Sequence, residues 1–204
     1  MPTTTRLTLT PADHGREIDP DEFDAADGEE GHQYEIIDGR VYVSPQPNAP
    51  QDFLVTWLFL KLSDYSRAHP NVANYVSPKS RVFVPGRARR TCPEPDVSVY
   101  EDYPLALPTR QRDWRNVSPI VVAEVPSESD PEKDLVRNVD LYLEVPSIRE
   151  YWILDPDTDP DAPSLRVYRR RGKSWQKPID VPFGGVYETP RLLPGFRLVV
   201  DPTH

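Results

Sequence analysis

The sequence is poor in the residues that build disulfides, zinc clusters and membrane spans. It has one cysteine, Cys92, which excludes an internal disulfide and a cysteine-based zinc cluster. The four histidines are scattered without the spacing of metal ligands: His14, His32, His69 and His204. No apolar run reaches the roughly 18 residues that span a bilayer, and the N-terminus lacks a charged-then-apolar signal pattern. We therefore expect a cytoplasmic protein.

Positive charge is also in short supply. The chain has 24 basic and 33 acidic residues, a formal charge of −9. This balance counts against a broad basic face that grips nucleic acid. The charge is uneven, because the N-terminal stretch is acidic whereas "PGRARR" and "RVYRRRGKSWQK" are basic. The plainest interpretation of the two basic runs is a solvated loop and a solvated hairpin.

Prolines, by contrast, are abundant. There are 25 of them among 204 residues, spread along the chain without a repeated tract. We interpret them as markers of turns and strand ends in an ordered domain. The length and patterning predict two parts. Residues 1–30 form an acidic N-terminal tail with some mobility, or a short helix near Pro20–Ala26, and residues 31–204 form a single domain.

The pattern of apolar residues predicts an α/β fold with a mixed sheet. "YEIIDGRVYV" alternates around Asp38-Gly39, which is typical of a two-residue hairpin turn. "QDFLVTWLFLKLSDYSRAH" has helical spacing, and "SDPEKDLVRNVDLYLEV" is a helix that Ser129 or Asp130 can cap. "NYVSPKSRVFVPG", "PDVSVY", "PIVVAEV" and "REYWILDPD" are predicted strands, "SLRVYRRRGKSWQKPIDV" a hairpin, and "FRLVV" the strand that closes the sheet.

Two carboxylates stand at strand ends. Asp96 opens the strand "PDVSVY", and Glu124 closes the strand "PIVVAEV". If these strands are antiparallel neighbours, both side chains converge at one edge of the sheet, with Glu35 as a third acid. Such oxygen ligands without histidine suit Mg²⁺ or Mn²⁺. Ion pairs with arginines would explain the same acids equally well, and the candidates are Arg81, Arg90 and Arg115.

Several segments together resemble a known family. "YEIIDGRVYVSPQPN", "EPDVSVY", "IVVAEVPS", "LYLEVPSIREYWILDP" and "LLPGFRL" are similar to the Uma-type family of restriction-endonuclease-like proteins, within the PD-(D/E)XK nuclease fold. The resemblance runs from about Tyr34 to Val200. It implies a restriction-endonuclease-like α/β core, a mixed β-sheet flanked by helices with additional β-hairpins. It also implies metal-dependent hydrolysis of DNA phosphodiesters, with Glu35, Asp96 and Glu124 as ligands of Mg²⁺ or Mn²⁺.

The resemblance fails at two catalytic positions. The lysine that usually follows the acid by two residues would fall at Pro126, and the alternative position of this lysine on the next helix is Asn138. The histidine expected near the start of the first helix has no counterpart, and Gln51 is the nearest polar residue. Neither an asparagine nor a glutamine supplies a positive charge or a general base at neutral pH.

A helical wheel of the second helix offers substitutes for the missing lysine. At about 100° per residue, the apolar stripe consists of Leu135, Val139 and Tyr142, with Asn138 at its edge. Lys133 and Arg137 are predicted to lie on the opposite, solvent-facing side. Arg137 is the better substitute by its reach, although its predicted direction is wrong. Lys79 is a further candidate that the sequence does not place.

Three interpretations follow. The first is a metal-dependent DNA endonuclease whose site consists of Glu35, Asp96 and Glu124, with Asn138 at the lysine position and Arg137 as its substitute. The second is a catalytically weakened nuclease-fold protein that serves as a DNA- or protein-binding module. The third is a structural or regulatory protein whose acids are paired with arginines and line no open pocket. Because nucleases that cut both strands often dimerise, a homodimer is also expected by analogy.

Overall fold

A computed structural model describes residues 6–127, 130–156 and 159–203. The N-terminal half contains the elements β1 (Thr8–Leu9), α1 (Pro20–Ala25), β2 (Asp27–Gly28), β3 (His32–Ile37), β4 (Arg40–Pro45), α2 (Ala49–Ala68), β5 (Tyr75–Pro78) and β6 (Val97–Tyr100). The C-terminal half contains β7 (Val121–Glu124), α3 (Asn138–Leu143), β8 (Glu150–Asp155), β9 (Ser164–Arg171), β10 (Ser174–Trp175), β11 (Ile179–Val181), β12 (Val186–Glu188) and β13 (Arg197–Val199). A π-helical turn, Lys133–Arg137, leads directly into α3.

A mixed sheet of seven strands organises the domain. Six strands follow the order β10-β9-β8-β7-β6-β5, and β11 pairs with β9. Only β7 and β8 are parallel to each other within this sheet, and the other described pairs are antiparallel. The segment that returns the chain from β7 to β8 contains α3, as a parallel pair requires. The predicted α/β class with a mixed sheet and flanking helices is confirmed.

The two faces of the sheet carry separate cores. Alternate residues of β7 illustrate this: Val121 and Ala123 pack with α2 in one apolar cluster, whereas Val122 packs with α3 in another. Helix α2 contributes the fully buried side chains of Leu54 and Leu58 to the first cluster. The period of two along each strand thus assigns every side chain to one helix or the other.

The hairpins β3–β4 and β12–β13 lie outside the main sheet. The predicted turn at Asp38-Gly39 joins β3 to β4, with both residues at positive φ, 49° and 72°. The segment "FRLVV" was expected to close the sheet, and this expectation is wrong, because β13 pairs with β12 in a separate hairpin. Strands β10 and β11 already pair with β9 at this end of the sheet. Leu198 and Val200 instead pack into the core on the α2 side.

The predicted short N-terminal helix is α1. Asp19 caps it by accepting hydrogen bonds from the backbone N–H groups of Asp21 and Glu22, and Phe23 of the helix is buried. Leu9 and Ile18 join Phe23 in a third apolar cluster that includes Ile36 of β3. The boundary at residue 30 remains a prediction. Within the described residues, no helix has the length and apolar character needed to cross a membrane.

Candidate active site

The alternation of β6 and β7 places two acids on the same face of the sheet. Glu124 points to the α3 side, as Val122 does, because residues i and i+2 of a strand point to the same face of the sheet. Asp96 precedes Val97, whose side chain packs on the α2 side, so Asp96 also belongs to the α3 side. The strands are antiparallel, with Val97 opposite Ala123. The sequence-based expectation that these two strands are antiparallel neighbours is confirmed.

Asp96 and Glu124 are joined by reciprocal hydrogen bonds through the backbone. The backbone N–H of Asp96 donates to Oε2 of Glu124 at 3.0 Å, and the N–H of Val125 donates to Oδ2 of Asp96 at 2.9 Å. Both residues are buried, with exposures of 6% and 1%. Backbone donors therefore fix the separation of the two carboxylates independently of any flexible side chain.

Helix α3 supplies the remaining contacts of Glu124. Its Oε1 accepts hydrogen bonds from Nδ2 of Asn138 at 3.0 Å and from the hydroxyl of Tyr142 at 2.6 Å. Nδ2 of Asn138 also donates to Oδ1 of Asp134 at 2.9 Å. Asn138, which is fully buried, therefore bridges two carboxylates at the position where the family resemblance places a lysine.

The predicted direction of Lys133 and Arg137 is wrong. Both were expected on the solvent side, but their side chains are 11% and 21% exposed and they contact Glu35. Val136 between them is 62% exposed. The reason is the π-helical turn, which closes i→i+5 hydrogen bonds in place of i→i+4 and so shifts side chains from the α-helical wheel. This turn directs two cations into the site.

Glu35 forms ion pairs with both Lys133 and Arg137. Its Oε2 lies 2.8 Å from Nη2 of Arg137, its Oε1 lies 3.8 Å from Nζ of Lys133, and the backbone N–H of Glu94 donates to Oε1 at 2.8 Å. Burial by itself would raise the pKa of Glu35, but the attraction of Lys133 and Arg137 outweighs it and lowers that pKa. Glu35 is therefore held as a carboxylate.

Lys133 is the electrostatic centre of the site. Burial would lower the pKa of its ammonium group, but attraction to four carboxylates raises it well above its usual value; they are Glu35, Glu124, Asp134 and Asp96. The acids themselves repel one another. Burial, reinforced by the negative charge of its neighbours, raises the pKa of Glu124 well above its usual range and that of Asp134 to about 7. Both acids therefore keep a proton more readily than a free carboxylic acid does, and a bound cation would favour their ionised forms.

Two further candidates from the sequence also lie at this site. Nζ of Lys79 is 3.2 Å from Oδ1 of Asp96, and its side chain is 36% exposed. Gln51, in the first turn of α2, donates from Nε2 to the backbone carbonyl of Val125. Gln51 thus braces the residue that follows Glu124, although it supplies no base. The capping residue Ser129 lies outside the described residues.

The arginines that could have explained the acids bind elsewhere. Arg81 and Arg90 each contact Asp24 at 2.8 Å, and Arg115 contacts the same carboxylate. None of these three arginines forms an ion pair with Asp96 or Glu124 within the described part of the chain. The alternative explanation by pairing with these arginines is wrong.

No metal centre is preassembled. Among residues 6–127, 130–156 and 159–203, no group of three or more His, Cys, Asp or Glu side chains is arranged to hold a metal ion. Protein donors bind both oxygens of Asp96, Glu124 and Glu35. The donor set nevertheless fits a hard cation, because its acids outnumber the nearby cations and repel one another. A cation would compete with Lys79 and Asn138 for these oxygens.

Asp134 is a site residue that the sequence did not reveal, and Lys133 is one that the helical wheel placed on the wrong side. Asp134, Asn138 and Tyr142 follow one another at intervals of four, which places them along one line of a helix. That spacing could have revealed Asp134. The exposed Val136 between two half-buried cations is the signature of the π-helical turn, and an α-helical wheel does not reproduce it.

The architecture defines a nuclease-like fold. It is similar to the crystal structure of "a putative nuclease belonging to DUF820" from Anabaena variabilis ATCC 29413, solved at 1.96 Å resolution. The two share 16% sequence identity with a TM-score of 0.66, over 90% of this chain and 95% of that one. At this identity the likeness shows a common fold.

The sequence establishes the family. The model of the Uma2 family, described as "Putative restriction endonuclease", matches residues 20–201. The chain therefore belongs to this family, and the resemblance noted from its motifs is confirmed. No curated protein matches the chain.

Proposed function

We propose that the protein is a metal-dependent endonuclease that hydrolyses DNA phosphodiester bonds. One observation carries the proposal: the largely buried ammonium group of Lys133 lies 3.8 Å from Oε1 of Glu35 and is also attracted by Glu124, Asp134 and Asp96, at the sheet end where Asp96 and Glu124 are joined. Membership of the restriction endonuclease family supports it. Asn138 stands where the family resemblance places a lysine. In this proposal Lys133, on the π-helical turn, supplies the positive charge in its place.

Asp96 and Glu124 are the residues that would hold the metal ion, with Glu35 as a third acid beside them. Carboxylate oxygens of this kind favour Mg²⁺ or Mn²⁺. When bound, such an ion would polarise a phosphoryl oxygen and lower the pKa of a bound water molecule.

The chain's own cations stabilise charge on the phosphate. The raised pKa of Lys133 keeps its Nζ protonated at neutral pH, so it can donate to a phosphate oxygen that becomes more negative during hydrolysis. Glu35 positions Lys133 and Arg137, and the ring of Tyr42 lies 4.2 Å from the guanidinium of Arg137. These contacts hold Arg137 at the site as a second positive charge.

Asn138 and Tyr142 are positioning residues for Glu124. Their two hydrogen bonds to Oε1 leave the carboxylate one orientation at the strand end. Gln51 fixes the next peptide unit through the carbonyl of Val125. These contacts preorganise the acid, which is what a site needs if it is to stabilise charge without rearrangement.

A binding module without catalysis is the second candidate function. The observation in its favour is that protein donors already bind both oxygens of Asp96, Glu124 and Glu35. Such a protein would bind DNA or another protein and would leave phosphodiester bonds intact. It is distinguished from the endonuclease by cleavage alone.

Relaxation of supercoiled plasmid DNA with Mg²⁺ or Mn²⁺ tests the proposal. We expect cleavage by the wild type and its loss in Asp96→Ala and Glu124→Ala. Lys133→Met should reduce the rate by about 10²–10³-fold, the usual cost of removing one electrostatic stabiliser. Lys173→Met, at an exposed turn, is the matched control and should cleave like the wild type. Cleavage by folded Glu124→Ala at the wild-type rate would refute the assignment, and wild-type DNA binding without cleavage would favour the binding module.

A further inference from the structure

A cleft rich in arginine lies at the opposite end of the sheet from the carboxylate site. Its volume is about 370 Å³, and its charged lining residues are Arg149, Glu150, Arg169, Arg170 and Arg191. Glu150 begins β8 and lies opposite Val121, the first residue of β7, whereas Glu124 ends β7. The two sites are therefore separated by the length of a strand.

The cleft is cationic in a chain of opposite charge. Four guanidinium groups and one carboxylate line it, although the formal charge of the protein is −9. Glu150 is buried and lies opposite Arg169 in the strand register, with Nε of Arg169 3.2 Å from its Oε1. Arg149 pairs with Glu101 outside the cleft lining, and its side chain is 50% exposed. A positive excess therefore remains in the cleft.

Internal contacts hold Arg169 and Arg170 in place, whereas the side chain of Arg191 is free in the part of the chain that the structure describes. Nη2 of Arg170 donates to the carbonyls of Tyr142, Leu143 and Val145, where the helix ends. Arg191 is exposed and makes no hydrogen bond or ion pair within the described residues. A guanidinium with no partner at the rim of a cationic cleft is available to an anion.

The loop that carries Arg191 is rigidly anchored. The hydroxyl of Thr189 donates to Oε1 of Glu150 at 2.6 Å, and the hydroxyl of Tyr187 donates to Oε2 at 2.8 Å. Leu193 is fully buried beyond Arg191. These contacts place Arg191 beside the cleft before any ligand arrives, which lowers the entropic cost of binding.

We propose that this cleft binds the phosphate group of a phosphomonoester, such as that of a nucleotide. Guanidinium groups form paired hydrogen bonds with phosphate oxygens. A phosphomonoester carries a charge of roughly −1.5 to −2 at neutral pH, which matches the positive excess better than a monoanion does. The volume lies in the range of small-ligand sites, roughly 300–1,000 Å³. The site does not depend on the proposed nuclease activity.

Calorimetric titration of the full chain with adenosine 5′-monophosphate tests the site, in chelator and at constant ionic strength. We expect saturable binding of the nucleotide and none of adenosine. Arg191→Ala and Arg149→Ala should each weaken binding by about tenfold, the cost of one charge-assisted contact. Arg67→Ala is the matched control, since Arg67 lies beside β5 at the far edge of the sheet and forms an ion pair with exposed Asp64. It should bind like the wild type.

Further titrations distinguish which kind of molecule supplies the phosphate group. Inorganic phosphate that competes with the nucleotide at similar affinity would show that the phosphate group suffices. Tighter binding of an oligonucleotide with a 5′-phosphate than of its 5′-hydroxyl form would identify a nucleic-acid end. Glu124→Gln should retain nucleotide binding. Absence of saturation by either phosphate or nucleotide at millimolar concentration would overturn the proposal, as would binding that Glu124→Gln abolishes and both arginine variants retain.

Discussion

At the scale of single residues, the positive charge of the site comes from a different side chain than the family resemblance implies. Asn138 stands where the family resemblance places a lysine, and it donates to both Glu124 and Asp134. The positive charge comes instead from Lys133, five positions earlier in the sequence. A motif compared position by position therefore misses the positive charge of this site, because a neighbouring side chain can bring the same charge to the same carboxylates.

The bridging role of Asn138 leads to a stability prediction. Asn138→Asp conserves the side-chain shape but removes both hydrogen-bond donors and adds a buried negative charge beside Glu124 and Asp134. We expect the free energy of unfolding to fall by about 3 kcal/mol or more, the cost of an uncompensated buried charge. Urea denaturation in the absence of metal measures it.

The control for this substitution is Asn116→Asp, which makes the same chemical change at an exposed position. Its free energy of unfolding should stay within about 0.5 kcal/mol of the wild-type value, as is usual at the surface. An Asn138→Asp midpoint that matches the control would show that Asn138 is not a necessary bridge between the two acids.

The sequence predicted the acids of the site better than its cations. Asp96 and Glu124 could be brought together because strands have a fixed period and antiparallel neighbours have a fixed geometry. Lys133 and Arg137 could not be placed, because their direction depends on an irregular turn that propensities do not specify. Lys79 could not be placed either, since it follows β5 at a positive φ of 50°, where the strand direction is lost.

At the scale of elements, the π-helical turn is the feature that makes the site cationic. Its hydrogen-bonded ring contains one residue more than that of an α-helix. The extra residue lets Lys133 and Arg137 face Glu35 while Asn138 and Tyr142 still face Glu124. A regular α-helix would satisfy one of these requirements at the expense of the other.

Deleting Val136 tests the importance of this turn. Val136 is exposed, and its removal should allow regular i→i+4 hydrogen bonds to form, turning Lys133 by about 100° relative to Tyr142. We expect plasmid cleavage to fall by about 10²-fold or more. Val136→Ala removes the exposed side chain without changing the register, and it should cleave like the wild type.

Far-UV circular dichroism shows whether the deletion variant retains its fold. If the folded deletion variant cleaves as fast as Val136→Ala, the direction of Lys133 is irrelevant to activity, and the role assigned to the π-helical turn is incorrect.

At the scale of the whole molecule, internal pairing masks much of the positive charge. The arginines of the run at residues 85–90 are neutralised by acids: Arg87 by Asp38 and Glu144, Arg89 by Glu17, and Arg90 by Asp24. The run is a loop, as the sequence indicates, but its arginines are paired. The protein therefore offers less charge to DNA than its arginine count suggests.

Asp24→Asn should expose part of this charge. The carboxylate of Asp24 contacts Arg81, Arg90 and Arg115, and the amide would leave all three without that partner. We expect tighter metal-free binding of duplex DNA, with a log–log salt dependence steeper by about one unit. Fluorescence anisotropy at several salt concentrations measures both. Asp64→Asn, in an exposed pair with Arg67, should change neither, and equal slopes for all three proteins would contradict the prediction.

A calorimetric titration with Mn²⁺ would decide whether the carboxylate site binds a metal ion, and it needs no knowledge of the DNA target. We expect saturable binding by the wild type and its loss in Asp96→Asn and Glu124→Gln. Lys133→Met should bind Mn²⁺ more tightly, because the substitution removes a positive charge that repels the metal ion. No binding by the folded wild type at millimolar Mn²⁺, or binding that both acid variants retain, would contradict the assignment of a metal-dependent site.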